Sequence, residues 1–403
     1  MHREKNIPPG HYRWIILITA YICILVFAFT LQSIPPVLTL IIEEFHLTHA
    51  EAGLLMSLFT FPSIFLAILA GMLADRIGSF KIGLISLLLV IVGTLAIALS
   101  RTFPGLALGR LVAGTGAATI SIVAAKTLSH WFHGREIGTA MGIYNTAMPV
   151  GTIICFTTFG RLGESMGWRI PVFIAVGIGI LGLAAFLFLC KPAPKEQEIR
   201  AHNKQGNKGI LSSLVNLGPL IWLAALCWLW FNAAAISFTT FGPDFFVSKG
   251  SSIGFSGFLT SLLMWGSLIL SPIIGRLIDK VNNNDIFIGA GGLLLATALY
   301  LVSSSTHFVF PMAVMAIAAG IVPTPVFSFF SKTTPPRDLG LSFGILGMVS
   351  GIGMFFGPYL SGWIRDKTGL YEDTFVFLAV LALIIPATAA LLRIKSKRPY
   401  PAE

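Results

Sequence analysis

Charge is what this chain has least of. Asp, Glu, Lys and Arg make up 11% of its 403 residues, where a water-soluble domain carries roughly 25%. Acid is scarcer than base, with 17 Asp and Glu against 27 Lys and Arg and a formal net charge of +10. Cysteine is nearly absent: Cys23, Cys155, Cys190 and Cys227 are scattered and no CxxC pair exists. That excludes a disulfide framework and a thiolate zinc site, and leaves the four as small apolar residues. No glycine-rich nucleotide loop occurs, so the chain does not hydrolyse ATP itself, and no motif asks for a cofactor. His46/His49 and His130/His133 stand three apart, a spacing that can seat a metal, but both pairs flank apolar runs without a third ligand. No metal site is expected.

What is there is apolar length. Hydrophobic residues make up 55% and the mean hydropathy is +0.84. Crossing a bilayer as a helix takes about 20 mostly apolar residues. Twelve such stretches occur, near 14–36, 52–72, 81–100, 105–127, 137–159, 170–190, 217–242, 256–276, 285–304, 308–330, 339–362 and 374–393. The first is too long for a signal-peptide core and no small-residue cleavage site follows it, so it reads as a retained span. The expectation is an all-α membrane protein of twelve transmembrane helices. Twelve spans put both termini on one side. Twenty of the 27 Lys and Arg then fall on that side, against six (Arg101, Arg161, Arg169, Lys249, Arg365 and Lys367) on the other, with Arg110 inside a span. By the positive-inside rule both termini are expected in the cytoplasm, in a cell inner membrane. The basic character is topological and calls for no nucleic acid.

The chain also repeats. The longest polar stretch, KPAPKEQEIRAHNKQGNKG at 191–209, lies between spans six and seven and would link an N-terminal six-helix unit (1–190) to a C-terminal one (210–403). Gly151, Gly160, Gly167 and Phe173 recur as Gly353, Gly362, Gly369 and Phe375, always 202 positions on. GMLADRIGSFKIG, starting at Gly71, is answered by GRLIDKVNNND from Gly275, 204 positions on. Random glycines do not hold so constant an offset.

These residues carry a family resemblance. GMLADRIGSFK resembles the loop-2-3 signature of the major facilitator superfamily, and RLVAGTGAA in span four resembles its R-x-x-x-G-x-G motif. SHWFHGREIGTAMG and GWRIPVF are similar to the family's sequences before spans five and six. The resemblance covers essentially the whole chain. It implies two pseudo-symmetric six-helix bundles around a cavity worked by alternating access. Two departures stand out: Ser79-Phe80 replaces the expected basic pair, and Met148-Pro149 replaces the Gly-Pro of the antiporter-associated motif. LQSIPPVLTLIIEEFHLTHAEAGLLMSLF resembles cyanate- or nitrate-type permeases.

The loop signature implies a latch. Asp75 sits where span two leaves the lipid, and Gly71 and Gly78 allow a tight turn beside it. A carboxylate there suits the positive N-terminal end of a helix. The resemblance names span eleven, near Leu339, as that partner, with Asp279 facing span five near Ile137 by symmetry. Arg76 and Lys81, with Arg135 and Glu136 opposite, would complete a charge network across the cytoplasmic seam, or simply obey the positive-inside rule.

Charges at membrane depth are costly and ask for a role. Arg110 is the one ionisable residue well inside a span; Lys126 and Asp244 sit near ends, and no span holds a histidine. Without a mid-span carboxylate, proton carriage by a tuned acid is not expected. Arg110 and Gln32 lie at similar depth. Either they greet an anion, or Arg110 bonds neighbouring backbone and locks the first bundle. Asn145, Trp230 and Asn232 are further substrate-contact candidates, with packing and helix-to-helix hydrogen bonding as the alternatives. The chain therefore reads as a monomeric secondary transporter of a small solute, an anion first, with or without a coupling ion. Efflux of hydrophobic compounds is the runner-up and a membrane sensor a remote third. No clustered Ser, His, Asp or Cys at membrane depth suggests an enzyme.

Overall fold

The computed structural model describes residues 11–132, 136–191, 218–281, 283–305, 307–334 and 339–396. Among them there is no strand. Fourteen α-helices follow one another: α1 (Tyr12–Leu31), α2 (Leu38–Phe45), α3 (His49–Ile77), α4 (Ser79–Leu99), α5 (Phe103–Trp131), α6 (Ile137–Met166), α7 (Arg169–Leu189), α8 (Pro219–Ser248), α9 (Ile253–Val281), α10 (Asn284–Ser304), α11 (Val309–Ile321), α12 (Pro323–Thr333), α13 (Leu339–Thr368) and α14 (Tyr371–Ser396). Two pairs are single spans broken in the middle. The span read as 14–36 continues through a 3₁₀ turn at Pro35–Val37 into α2, because consecutive prolines deny the helix its hydrogen bonds. Span ten breaks at Val322, where Pro323 restarts the helix as its first residue. Pro149 and Pro358 lie inside the continuous α6 and α13.

Eleven of the twelve spans are long and apolar enough to cross a bilayer on composition alone. The twelfth, α6, carries Thr, Tyr, Asn and Gly along its length and is less apolar, but it packs between the bundles as its counterpart α13 does. Leu99, Leu181, Phe188, Val309 and Phe310 are all more than 60% exposed. Water would not tolerate such surfaces, whereas lipid requires them, since helices satisfy their own backbone and show only side chains to it.

The internal repeat is a structural repeat. α13 begins and ends 202 positions after α6, α9 begins and ends 204 after α3, and α10 begins and ends 205 after α4. Gly167 and Gly369 close α6 and α13 with φ of +91° and +75°, a backbone state that favours glycine, which explains why both copies keep it. Packing repeats too. In the first bundle α1 packs on α5, α6 and α7, and α4 on α7; in the second α8 packs on α12, α13 and α14, and α10 on α14. Across the seam, α3 pairs with α13 and α6 with α9. The result is two six-span bundles. The segment expected to link them lies almost entirely outside the described residues.

Candidate functional site

Because α3 meets α13 antiparallel, each seam has two ends. One face of the molecule holds both ends of the described chain, the starts of α1, α8 and α13 and the ends of α3 and α14; call it the terminal face. The other holds the starts of α3, α9 and α14. At this opposite face the bundles interlock. Gly362 of α13 rides on the His49 carbonyl of α3, so close that a Cβ would lie 2.0 Å from it, and Gly53 rides on the Pro358 carbonyl. The symmetric seam repeats this, Gly160 of α6 meeting Ile253 and Gly257 of α9 meeting Phe156. Ser57 donates to the Phe355 carbonyl, and the Phe61 ring lies tilted against that of Phe355 with ring centres 5.2 Å apart. Contact continues to Gly347, where a Cβ would sit 3.2 Å from Ala67. From His49 to Ala67 is about 27 Å of helix.

Beyond that level the seam parts. A Cβ at Gly71, Gly138 or Gly142 would meet nothing within 4 Å. Leu73, Ile77, Ile137, Leu277 and Val281 are each more than a third exposed. Among the described residues the seam between the bundles is therefore closed at the opposite face and parted at the terminal face.

The latch residues lie at the open end. The side chains of Asp75 and Asp279, and all of Arg135, fall outside the described residues. Arg76 and Lys81 are exposed. Glu136 pairs with Arg13 of its own bundle at 2.8 Å, not with the loop after α3. Gly71 makes no close approach, but its carbonyl accepts from Lys126 Nζ at 3.1 Å. Gly78 does serve the turn: it ends α3 and begins α4 at φ 114°, its N–H donating to the Ala74 carbonyl.

Arg110 is fully buried. Its Nε donates to the Leu55 carbonyl at 3.0 Å and its Nη1 to the Thr30 carbonyl at 3.0 Å, while both Nη atoms reach the Leu31 carbonyl at 3.4 Å. The guanidinium lies over the Phe59 ring, 4.6 Å from its centre. Thr30 and Leu31 close α1 at the break, where helical carbonyls lose their intrahelical partners. Arg110 thus caps a broken helix and ties α1, α3 and α5 together. Gln32, the residue after α1, is also fully buried, and its amide has no partner among the described residues. Sequence reading brought the two to one depth, and the structure brings them to one broken helix end.

The remaining candidates are more open. Asn145 is exposed on α6, beside Thr146, whose hydroxyl donates to Tyr21 of α1 at 3.4 Å. Trp230 and Asn232 are half-buried on α8, and Asn232 Nδ2 donates to the Trp228 carbonyl of its own helix at 2.8 Å. Trp228 stacks on Phe231, 5.2 Å between centres, and meets Phe327 of α12 edge-on at 5.3 Å; Phe327 in turn stacks on Phe343 of α13. This gives the second bundle an aromatic shelf toward the terminal face. One further hollow of about 610 Å³, with Glu44, Phe45, Arg101, Arg169 and Phe173 in its wall, belongs wholly to the first bundle. Its Arg169 and Glu44 already pair at 2.8 Å.

Sequence reading missed the polar group that fastens the closed end. Asp244 on α8 accepts from Thr39 of α2 at 2.6 Å and from the Tyr371 hydroxyl of α14. His49 Nε2 lies 3.6 Å from the same carboxylate, and Asp366 of α13 accepts from His49 N, His49 Nδ1 and Ala50 N at 2.9, 3.0 and 2.8 Å. His49 and Asp244 were visible as residues near span ends. No local pattern joins positions separated by up to 317 residues.

With this geometry in hand, comparison with known proteins is decisive for the family. The sequence profile of the Major Facilitator Superfamily matches residues 20–256 and 234–403. The chain belongs to that superfamily, and it is a membrane transporter, not an enzyme. Among its relatives, the lysosomal dipeptide transporter MFSD1 of Danio rerio is 23% identical, aligned over 97% of this chain and 89% of that protein. The class D tetracycline resistance protein of Salmonella ordonez is 28% identical over 96% and 98%. The nitrite extrusion protein of Bacillus subtilis is 26% identical over 84% of each. Among solved structures, a bacterial homolog of the human lysosomal transporter Spinster, inward-facing and occupied, shares the fold with a TM-score of 0.76 at 19% identity, over 97% of this chain and 99% of that one.

Proposed function

We propose that the chain carries a small amphiphilic solute with no excess charge, by secondary transport, through a chamber that here opens toward the cytoplasm. The orientation rests on the basic residues, twenty of which fall on the side of the termini against six on the other. Both bundles that form the chamber come from one chain, so a monomer suffices.

One observation carries the substrate reading: Arg110 is fully buried and its N–H groups are taken up by the Leu55, Thr30 and Leu31 carbonyls and the Met56 Sδ. Of the two roles open to Arg110, anion contact or a lock within the first bundle, these bonds support the second. What remains for a solute is neutral: the aromatic shelf of Trp228, Phe327 and Phe343, with Trp230, Asn232, Asn145 and Tyr21 as neighbouring ring faces and hydrogen-bonding groups. The tetracycline resistance relative favours this reading. A small anion is the second reading, favoured by the nitrite extrusion relative.

The test is transport by purified protein in vesicles, offering a tetracycline and, separately, nitrite, each with and without an imposed proton gradient. Accumulation of the tetracycline with no nitrite flux is the expected result. Nitrite flux that Arg110→Lys selectively abolishes would establish the anion reading in its place.

A further inference from the structure

We propose that His49, Asp244 and Asp366 form a proton-binding site between the bundles, and that a proton bound there holds the opposite face shut. The transport reading above assigns no role to any of the three.

The site is built from both bundles. His49 is the first residue of α3, which starts with a capping box in which Thr48 and Glu51 satisfy each other's backbone N–H. Asp366, on the other bundle, accepts the N–H groups of His49 and Ala50 and so supplies an anion to the positive end of α3. The same carboxylate accepts from His49 Nδ1 at 3.0 Å. A neutral imidazole has one N–H to give. Once Nδ1–H is given to Asp366, an unprotonated Nε2 turns its lone pair toward the Asp244 carboxylate 3.6 Å away. Only the doubly protonated ring meets both carboxylates favourably.

Asp244 shows the same demand from its own side. It is 8% exposed, and besides His49 its partners are the hydroxyls of Thr39 and Tyr371. A buried carboxylate held by two neutral donors gains most from a cation across the seam. Two other cations stand nearby, and the charge of Arg365 opposes a second positive charge on His49. Arg365 lies over the Tyr371 ring, 4.6 Å from its centre, and Lys249 pairs with Glu372. The His49 ring stands edge-on to Tyr371 at 5.6 Å and tilted against Phe241 at 6.4 Å, neither of which titrates in the imidazole range.

The fold does not require this chemistry. The internal repeat places Ile253 where His49 stands and Glu164 where Asp366 stands, and there Gly160 packs on the Ile253 backbone as Gly362 packs on that of His49. Among the described residues no ion pair crosses that seam, whereas the other sets His49 against two carboxylates that a proton on its ring can pair with. Separating the bundles takes both carboxylates away from the ring. Proton binding and closure therefore favour each other by the same factor. The sign follows: closure is favoured as pH falls through the imidazole range.

The experiment needs no substrate, so it is independent of the solute proposed above. Spin labels at Glu43→Cys and Ser252→Cys, both exposed at the opposite face, report separation there in full-length protein in which the four native cysteines are replaced. Between about pH 8 and pH 5, the ratio of closed to open populations is expected to rise about tenfold, a coupling of ordinary size. His49→Gln and His49→Ile, the latter copying the other seam, should both abolish the rise. His46→Gln, a histidine outside the cluster, should keep it. Asp366→Asn should shrink the rise and lower closure at every pH. No rise in the parent protein, or an undiminished rise in His49→Gln and His49→Ile, would overturn the proposal.

Discussion

At the scale of single residues, Arg110 decides most. Its removal leaves the last carbonyls of α1 without partners in a place water does not reach, and opens a cavity beneath Phe59. Arg110→Ala should therefore cost about 3 kcal/mol or more, seen as a lower melting temperature in detergent, and should depress transport of every solute alike. Arg110→Lys should recover little, because one ammonium cannot reproduce a fork that spans α1 and α3. Trp230 and Asn232 should behave oppositely. Both are half-buried, and the Asn232 amide donates within its own helix, so truncation to Ala should change stability by less than about 1 kcal/mol. In a transport assay the same changes should raise KM about tenfold, the loss of about 1.4 kcal/mol of solute contact.

At the scale of helices, glycines separate folding from gating. Gly114 of α5 lies inside the first bundle, where a Cβ would stand 2.0 Å from the Phe59 carbonyl; at Gly362 the equal distance is to the His49 carbonyl across the seam. Gly114→Ala should lower the melting temperature of the whole molecule. Gly362→Ala should leave the bundles intact but push them apart at the opposite face, exposing a cysteine introduced at Ala50, on the same seam, to thiol reagents; unchanged labelling would contradict the seam described here. Much at this scale was legible from sequence. Spans follow from apolar length, and the pseudo-symmetry from glycines spaced 202 apart, which turn out to close α6 and α13 and to pack the seams. What was not legible depends on partners distant in the chain. The first span was read as ending at Pro36, so α2 beyond it was not foreseen, and with it the position of Thr39 beside Asp244. The role of Arg110 stayed open because an arginine facing a cavity and one capping a broken helix look alike in one dimension.

At the scale of the molecule, two bundles meet along α3–α13 and α6–α9, fastened at one face and parted at the other. Asp366 near the C-terminal end of α13 caps the start of α3 here; we propose that Asp75, near the C-terminal end of α3, does the same for α13 when the terminal face closes. On that proposal, exchange between these two capped arrangements is the physical content of alternating access in this chain. The most direct test measures both faces at once, with spin-label pairs at Ile77→Cys and Ser331→Cys on the terminal face and at Glu43→Cys and Ser252→Cys on the opposite face. On adding a transported solute, the account expects the two distances to change in opposite directions, one face closing as the other opens. Distances that stay fixed, or that lengthen and shorten together, would contradict it.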